Sequence, residues 1–271
     1  MKKLLCALLC ACLLALCACG VQVPARVEDA LFVDGAYVRV CYLDNGEKKP
    51  VVLVGHGLGG DSAGMLSTGR ALADAGFFVL LPDMPNHGQN RDTGPDCLVE
   101  VVIAASDLYD RLLDAFAEDP NADTGRVGVT GFSMGAMTAF YYAANGRHPV
   151  TAAAPCCGTP DFTELSGQRV AYLRCPVTGS FENGPCVDEA RQREIDVLLR
   201  EASPLEKLKD RPGLRLFMQN GDEDAYFPLQ AVRELADSMD GAQLEVLSGQ
   251  GHIYTEGMRR ALTQFFVETL L

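Results

Sequence analysis

The feature that most constrains this chain is Gly131-Phe132-Ser133-Met134-Gly135, set between a β-branched run and a stretch of helix formers. Val127 to Thr130 reads as a buried parallel strand, and Ala136 to Ala144 reads as a helix. A Gly-x-Ser-x-Gly pentapeptide at a strand-to-helix junction makes a sharp turn that lifts the serine hydroxyl out of the sheet. Ser133 must then hold a strained backbone, and the positions two residues to either side have no room for a β-carbon, hence Gly131 and Gly135. The following helix aims its free N–H groups and positive dipole end at the same point, where an oxyanion would develop. On this reading Ser133 is a nucleophile. The plain alternative is an ordinary strand-loop-helix turn that happens to hold a serine.

The rest of the chain supplies strands and helices in alternation. Ala30 to Val33 and Tyr37 to Leu43 flank Asp34-Gly35, a hairpin signal. Pro50 to Gly55 is a continuous apolar run and so a central strand, followed by helical spacing from Met65 to Ala75 and a strand from Phe77 to Leu81. Apolar residues then recur at threes and fours from Leu98 to Phe116, which predicts a long amphipathic helix. Beyond the serine turn, strands are expected at Val150 to Ala154, Leu214 to Gln219 and Gln243 to Leu247, with helices at Leu229 to Met239 and Gly257 to Leu270. Such alternation predicts an α/β fold, a mostly parallel sheet with helices on both faces. The stretch from about residue 156 to 213 breaks the pattern and reads as a small cap insertion over the carboxyl ends of the strands. Its aromatics, Phe162, Tyr172 and Phe181, suggest an apolar lining.

With 271 residues, 48% hydrophobic and 22% charged, the chain has ample material for one large core. A net charge of −13 argues against nucleic acid as a partner, because nothing would neutralise phosphates. No cofactor is implied. Four scattered histidines without His-x-His or His-x-x-x-His spacing, and no Cys-x-x-Cys, suggest no metal site.

A serine needs a base within hydrogen-bond reach, and the base needs an orienting acid. Of His56, His87, His148 and His252, only His252 sits in a glycine-containing loop after the last strand, on the rim where open α/β sheets place their ligands. The acid is expected from Asp222, Glu223 or Asp224, in the loop after the strand ending at Gln219. Serine, acid and histidine then follow in the chain order of α/β-hydrolases. In His56-Gly57-Leu58-Gly59-Gly60, directly after the first central strand, the Leu58 N–H is placed to pair with the Met134 N–H as an oxyanion hole, and His56 reads either as a second base or as a structural residue holding the loop.

Four stretches together resemble the α/β-hydrolase superfamily, and more narrowly its small bacterial carboxylesterases of the prolyl-oligopeptidase-like and dienelactone-hydrolase-like branch. They are His56 to Gly60; Leu81-Pro82-Asp83-Met84-Pro85-Asn86-His87-Gly88; Gly131 to Thr138; and Gly221 to Pro228 with Gly251-His252. The resemblance implies an α/β-hydrolase fold and an acyl-enzyme formed at Ser133 on a small or medium carboxylic ester, with His252 shuttling the proton. It selects Asp224, four residues before Pro228, as the acid. His87, Phe132 and Cys157 are the candidates for substrate-binding residues, with a structural turn as the alternative for His87 and a buried spectator as the alternative for Cys157. A serine peptidase on short peptides and a non-catalytic surface-binding lipoprotein of the same fold are the alternatives.

The leader resembles a different family of signals. Lys2-Lys3 precedes an apolar stretch too short to span a bilayer comfortably, closed by Leu16-Cys17-Ala18-Cys19-Gly20, which resembles a bacterial lipobox. That resemblance implies a signal peptide over residues 1–19, lipid on Cys19, and a membrane-anchored, extracytoplasmic single domain over residues 20–271; an ordinary secretory signal on a secreted protein, or an uncleaved anchor, is the alternative. Outside the cytoplasm disulfides are permitted, and Cys175 with Cys186 is the expected pair. Oligomeric state is not legible.

Overall fold

The computed structural model describes residues 24–91, 97–166 and 189–271. The chain opens with a hairpin, β1 (Ala25–Val33) and β2 (Ala36–Asp44), paired from Ala25 with Asp44 up to Val33 with Ala36. Asp34 and Gly35 turn it with φ of 48° and 79°, the left-handed pair that a two-residue hairpin requires. There follow β3 (Lys49–Gly55), α1 (Leu66–Asp74), β4 (Phe78–Pro82), α2 (Leu98–Ala115), β5 (Ala122–Phe132), α3 (Met134–Asn145) and β6 (Ala152–Cys156). Next come α4 (Glu189–Ala202), α5 (Leu205–Lys209), β7 (Arg215–Gly221), α6 (Gln230–Ser238), β8 (Ala242–Leu247) and α7 (Glu256–Leu270).

The eight strands form one sheet in the order β1-β2-β4-β3-β5-β6-β7-β8. β1 with β2 and β2 with β4 are antiparallel, and every later pairing is parallel. Val51, Leu53, Val127 and Val129 face one side, where they pack with α2, α3 and α6. Val52, Val54, Ala152 and Ala154 face the other, against α1 and α7. The period-2 alternation of β3 thus feeds two cores, which explains a strand apolar at nearly every position. The expected fold class is the one observed, down to the antiparallel edge.

Several elements differ from expectation in extent, β1 among them, which starts at Ala25 and not at Ala30. β5 begins at Ala122, well before Val127, because the polar run Asp123-Thr124-Gly125-Arg126 continues the strand at its exposed end. There it lies beside Lys49 and Pro50, and the register shifts between Pro50 and Val51. β6 runs to Cys156, through a proline that reads as a stop. Its pairing with β7 accommodates Pro155, running Ala152–Arg215 and Ala153–Leu216 and resuming at Cys156–Gln219.

The insertion from about 156 to 213 is described only in part, since residues 167–188, including Tyr172, Phe181, Cys175 and Cys186, lie outside the described residues. What is described lies along the flank. Ile195, Leu199, Ala202, Leu205 and Leu208 are buried in the same core as α2 and α3, and Arg191 pairs with Glu100 in the first turn of α2 at 2.8 Å. Phe162 is fully buried and stacks on Tyr141 with ring centroids 6.3 Å apart, so it is a core residue and not a lining one.

The elements converge where three glycines touch. A β-carbon on Gly131 would lie 2.5 Å from the Gly135 carbonyl carbon and 2.7 Å from the Gly55 oxygen, and one on Gly135 would collide with the Gly55 carbonyl. The end of β3, the end of β5 and the start of α3 therefore meet backbone to backbone. Gly135→Ala is expected to destabilise the fold by on the order of 3 kcal/mol, as overpacking against rigid backbone does. Gly64→Ala, with nothing within 4 Å of the added carbon, is expected to leave the melting temperature unchanged within a degree or two. Thermal melts of the two variants check this, and equal melting temperatures would contradict it.

Candidate active site

At this meeting point the backbone leaves the sheet. Ser133 has φ 57° and ψ −116°, a conformation rare for any residue with a β-carbon and worth roughly 1–3 kcal/mol of strain. Its N–H donates to the Cys156 carbonyl at 3.0 Å and its carbonyl accepts from the Met137 N–H at 3.0 Å, so the turn is fixed from both sides. α3 starts at Met134, whose N–H stands among the first-turn groups that have no acceptor within the helix.

Asp224 and His252 arrive on the loops after β7 and β8, along the same edge. The Ser133 hydroxyl lies 2.8 Å from His252 Nε2, and His252 Nδ1 lies 2.8 Å from Asp224 Oδ2. The other Asp224 oxygen accepts N–H groups from Tyr226 at 2.8 Å and Phe227 at 3.1 Å. Burial raises the affinity of this fully enclosed carboxyl for a proton. The hydrogen bonds from His252 and from the Tyr226 and Phe227 amides outweigh it, and hold the group below the usual carboxylate range. Asp224 is therefore ionised at neutral pH, as an acceptor for the Nδ1–H must be. The two loops are pinned together: Asp222 accepts the Gly249 N–H at 2.6 Å, and the Glu223 N–H donates to the Gln250 carbonyl at 2.9 Å. Gly221 admits this crossing, since a β-carbon there would collide with the Gln250 carbonyl.

The loop after β3 forms the opposite wall. Its approach depends on Gly57, where a β-carbon would sit 3.1 Å from the Phe132 ring and 3.6 Å from Ser133 Cβ. His56 holds it. The Met84 N–H donates to His56 Nε2 at 3.0 Å, so the proton sits on Nδ1 and is donated to the Gly57 carbonyl at 2.8 Å. Burial drives His56 down to about 4, which keeps the ring neutral in this tautomer. Beneath it, buried Asp83 accepts the Ser62 N–H at 2.8 Å and the Gln89 N–H at 2.7 Å. Asn90 then ties that turn to the hairpin by accepting the Tyr37 N–H at 2.9 Å.

Between these walls lies a cavity of about 230 Å³, lined around Ser133 and His252 by Leu58, Leu98, Phe132, Met134, Tyr226 and Phe227. The His252 ring is packed by Phe132 at 4.9 Å, Tyr226 at 5.0 Å and Phe227 at 5.4 Å between centroids. Of the residues singled out in the sequence, Ser133, Asp224 and His252 are brought into one hydrogen-bonded line, and Leu58, Met134 and Phe132 stand on the wall.

His87 and Cys157 are not brought to the wall. His87 is buried against His56 at 5.2 Å between ring centroids, its Nδ1 2.9 Å from the Pro85 carbonyl, as a residue that shapes the turn. Cys157 is buried behind the acid and base, its Sγ 3.6 Å from the Ile253 carbonyl. His148 bonds to Asp114 at 2.9 Å on the surface of α2. Cys19 lies outside the described residues.

Sequence reasoning missed Leu98, Tyr226 and Phe227 on the wall, and Asp222 as the loop clamp. Leu98 carried only a helix-core signal. Two aromatics directly after the acid were the available clue for the others.

The family model described as the alpha/beta hydrolase fold matches residues 50–173. Esterase YjfP of Escherichia coli is 32% identical over 197 residues, covering 70% of this chain and 74% of that protein. The chain belongs to the alpha/beta hydrolase family, among its esterase-like members. Est1E from Butyrivibrio proteoclasticus, solved with ferulic acid bound, shares the fold at a TM-score of 0.66 and 18% identity, over 89% of this chain and 98% of that one. An acetyl xylan esterase from Paenibacillus sp. R4 shares it at a TM-score of 0.65 and 15% identity, over 92% and 90%.

The His56 brace predicts an acid sensitivity. The ring binds a proton near pH 6.5 when unfolded and only near about 4 when folded, so its contribution is complete above 6.5 and is lost as the pH falls toward 4. Denaturant melts at pH 7 and pH 4.5 should show wild type losing on the order of 2 kcal/mol more than His56→Gln over that interval. Equal losses would remove this role from His56.

Proposed function

We propose that this hydrolase is a serine carboxylesterase with Ser133, His252 and Asp224 as its catalytic residues. The unbroken line from Asp224 through His252 to the Ser133 hydroxyl, at 2.8 Å for each link, carries the reading. Asp224 fixes the imidazole with its proton on Nδ1, leaving Nε2 as the acceptor for the Ser133 proton. Ser133 Oγ attacks the ester carbonyl, and the oxygen that gains the electron pair is held by the Leu58 and Met134 N–H groups. The tetrahedral intermediate collapses, and the alkoxide leaves with the proton that His252 returns. Water, deprotonated by the same nitrogen, then releases the acyl group from Ser133.

The wall supports an ester over a peptide. Apart from the reacting Ser133 and His252, its side chains are apolar or aromatic, and no carboxylate among the described lining residues stands ready to grip a free amine. Glu189, Glu194 and Asp196 lie on α4, which does not line the cavity. An uncharged short or medium acyl chain suits such a wall, and the esterase relatives are consistent with it.

The location we propose is the outer face of a membrane, with lipid on Cys19. It is supported by the basic and apolar leader with its lipobox-like close. No described helix is long and apolar enough to cross a membrane. β1 runs parallel to β4, so its first residue, Ala25, lies at the amino end of the sheet, opposite the loops that bear the site. An anchor at Cys19 would present the cavity away from the bilayer.

Hydrolysis of p-nitrophenyl esters from acetate to octanoate, by residues 20–271 and by the same chain with Ser133→Ala, tests the chemistry. Wild type should turn over the shorter esters best, and the variant should fall by several orders of magnitude, as loss of a triad nucleophile causes. Equal rates in the two proteins would overturn the assignment.

A further inference from the structure

Cys157 is a buried nucleophile with no part in the hydrolysis, set directly against two residues that have one. It follows β6, and its N–H donates to the Gln219 carbonyl at 2.8 Å, which extends the sheet by one bond before the chain turns away. Its side chain is fully enclosed and points toward the His252 loop, with Sγ 3.6 Å from the Ile253 carbonyl. A ring nitrogen of His252, a carboxylate oxygen of Asp224 and this Sγ all lie within 4.8 Å of one another. The His252 nitrogen that faces Asp224 is Nδ1, at 2.8 Å, on the side of the ring away from Ser133.

We propose that Cys157, Asp224 and His252 form an inhibitory binding site for a thiophilic divalent cation, with Zn²⁺ as its type. The donor set is one sulfur, one imidazole nitrogen and one carboxylate oxygen, the mixture that zinc accepts and that magnesium and calcium do not favour. Zinc bonds of about 2.0–2.3 Å place neighbouring ligand atoms roughly 3–4 Å apart. From a present spacing of up to 4.8 Å the widest pair must therefore close by roughly 1–2 Å, while Nδ1 and the Asp224 oxygen open slightly from 2.8 Å, both within the reach of side-chain rotation. The spacing rules that rejected a metal site in the sequence do not apply, because the three ligands come from the ends of β6, β7 and β8 and meet only in the folded sheet.

The resting state keeps the site latent. Burial, and the Asp224 carboxylate beside it, push the Cys157 thiol up to about 12, so the sulfur carries its proton and is inert toward substrate. A cation changes the balance by replacing protons. Zn²⁺ bonds to Sγ as the thiol proton leaves to solvent. It bonds to Nδ1 as the imidazole proton passes to Nε2, and it bonds to the Asp224 oxygen that had accepted from Nδ1. One proton is released per zinc, with no oxidation or reduction. The imidazole is left with N–H on Nε2, facing Ser133, where it donates and cannot accept. The Ser133 hydroxyl then has no base, although the cavity and the oxyanion donors are untouched.

Loss of turnover on zinc binding rests on the esterase reading, whereas binding itself does not, so two measurements are paired. Equilibrium dialysis against ZnCl₂ should show wild type holding one more equivalent than Cys157→Ala or Cys157→Ser. In ester hydrolysis without metal, the Cys157 variants should match wild type within about twofold. Adding zinc should inhibit wild type, with recovery on EDTA, and the variants should need at least tenfold more. Equal zinc stoichiometry in wild type and variants overturns the site, even if no ester is ever hydrolysed. A difference in stoichiometry with equal sensitivity of turnover would refute its inhibitory action.

Discussion

Everything at the site depends on the backbone contact among Gly55, Gly131 and Gly135. The strand that leads into the Gly57–Leu58 loop and the strand that carries Ser133 lie side by side in register, Val54 with Thr130 and Gly55 with Gly131. The helix that follows the serine folds back against that pair, with no side chain between them. Close approach lets one short turn hold Ser133 at positive φ, bring the Met134 amide beside its hydroxyl and set Leu58 across from it. Any β-carbon at the contact would push α3 away from the sheet and separate the hydroxyl from the amides. Strain at Ser133 is tolerated because hydrogen bonds to Cys156 and Met137 and the packed glycines over-determine it.

Around that contact the loops are held by buried polar groups, each with a defined partner. His56 links the oxyanion loop to the turn after β4, and Asp83 and Asn90 link that turn to Ser62 and to the hairpin. On the other side, Asp222 and Gly221 let the loops after β7 and β8 lie against each other, so that Asp224 and His252 form one unit. The apolar rings of Phe132, Tyr226 and Phe227 close on the imidazole. They limit its rotation and shield its bond to Asp224 from water, which strengthens that bond. Rigid glycine contacts set Ser133, polar braces set the loops, and aromatic packing sets the His252 ring.

Much of this was legible before the fold was known, and for a physical reason. Strand and helix periodicities are local, so the order of elements and the position of the Gly131–Gly135 turn could be read from neighbours along the chain. Chain order then placed His252 and the Asp222–Asp224 loop on the rim that carries Ser133, where the structure has them, while choosing Asp224 over Asp222 needed the family resemblance. The structure shows what separates those two: one carboxylate accepts from His252, Tyr226 and Phe227, and the other from Gly249. What was not legible depends on contacts between distant segments. Leu98 has the pattern of a core helix residue and becomes a pocket wall only because α2 starts at the sheet edge. Cys157 was a candidate lining residue because its position borders the rim in relatives, but its backbone φ is 53° and its thiol is buried, 3.6 Å from the Ile253 carbonyl. Gly55 drew no attention as the last residue of an apolar run, and its partners lie on β5 and α3.

The most direct measurement of the central claim is covalent capture of the nucleophile. Wild type is treated with a serine-directed fluorophosphonate, weighed intact by mass spectrometry and mapped by peptide. One adduct per chain, on Ser133 and absent from Ser133→Ala, is what an activated hydroxyl at this turn predicts, since an ordinary serine does not react. An unlabelled wild type that is folded, or an adduct that persists in Ser133→Ala, would contradict it, and the glycine-held turn would then be a structural junction without chemistry.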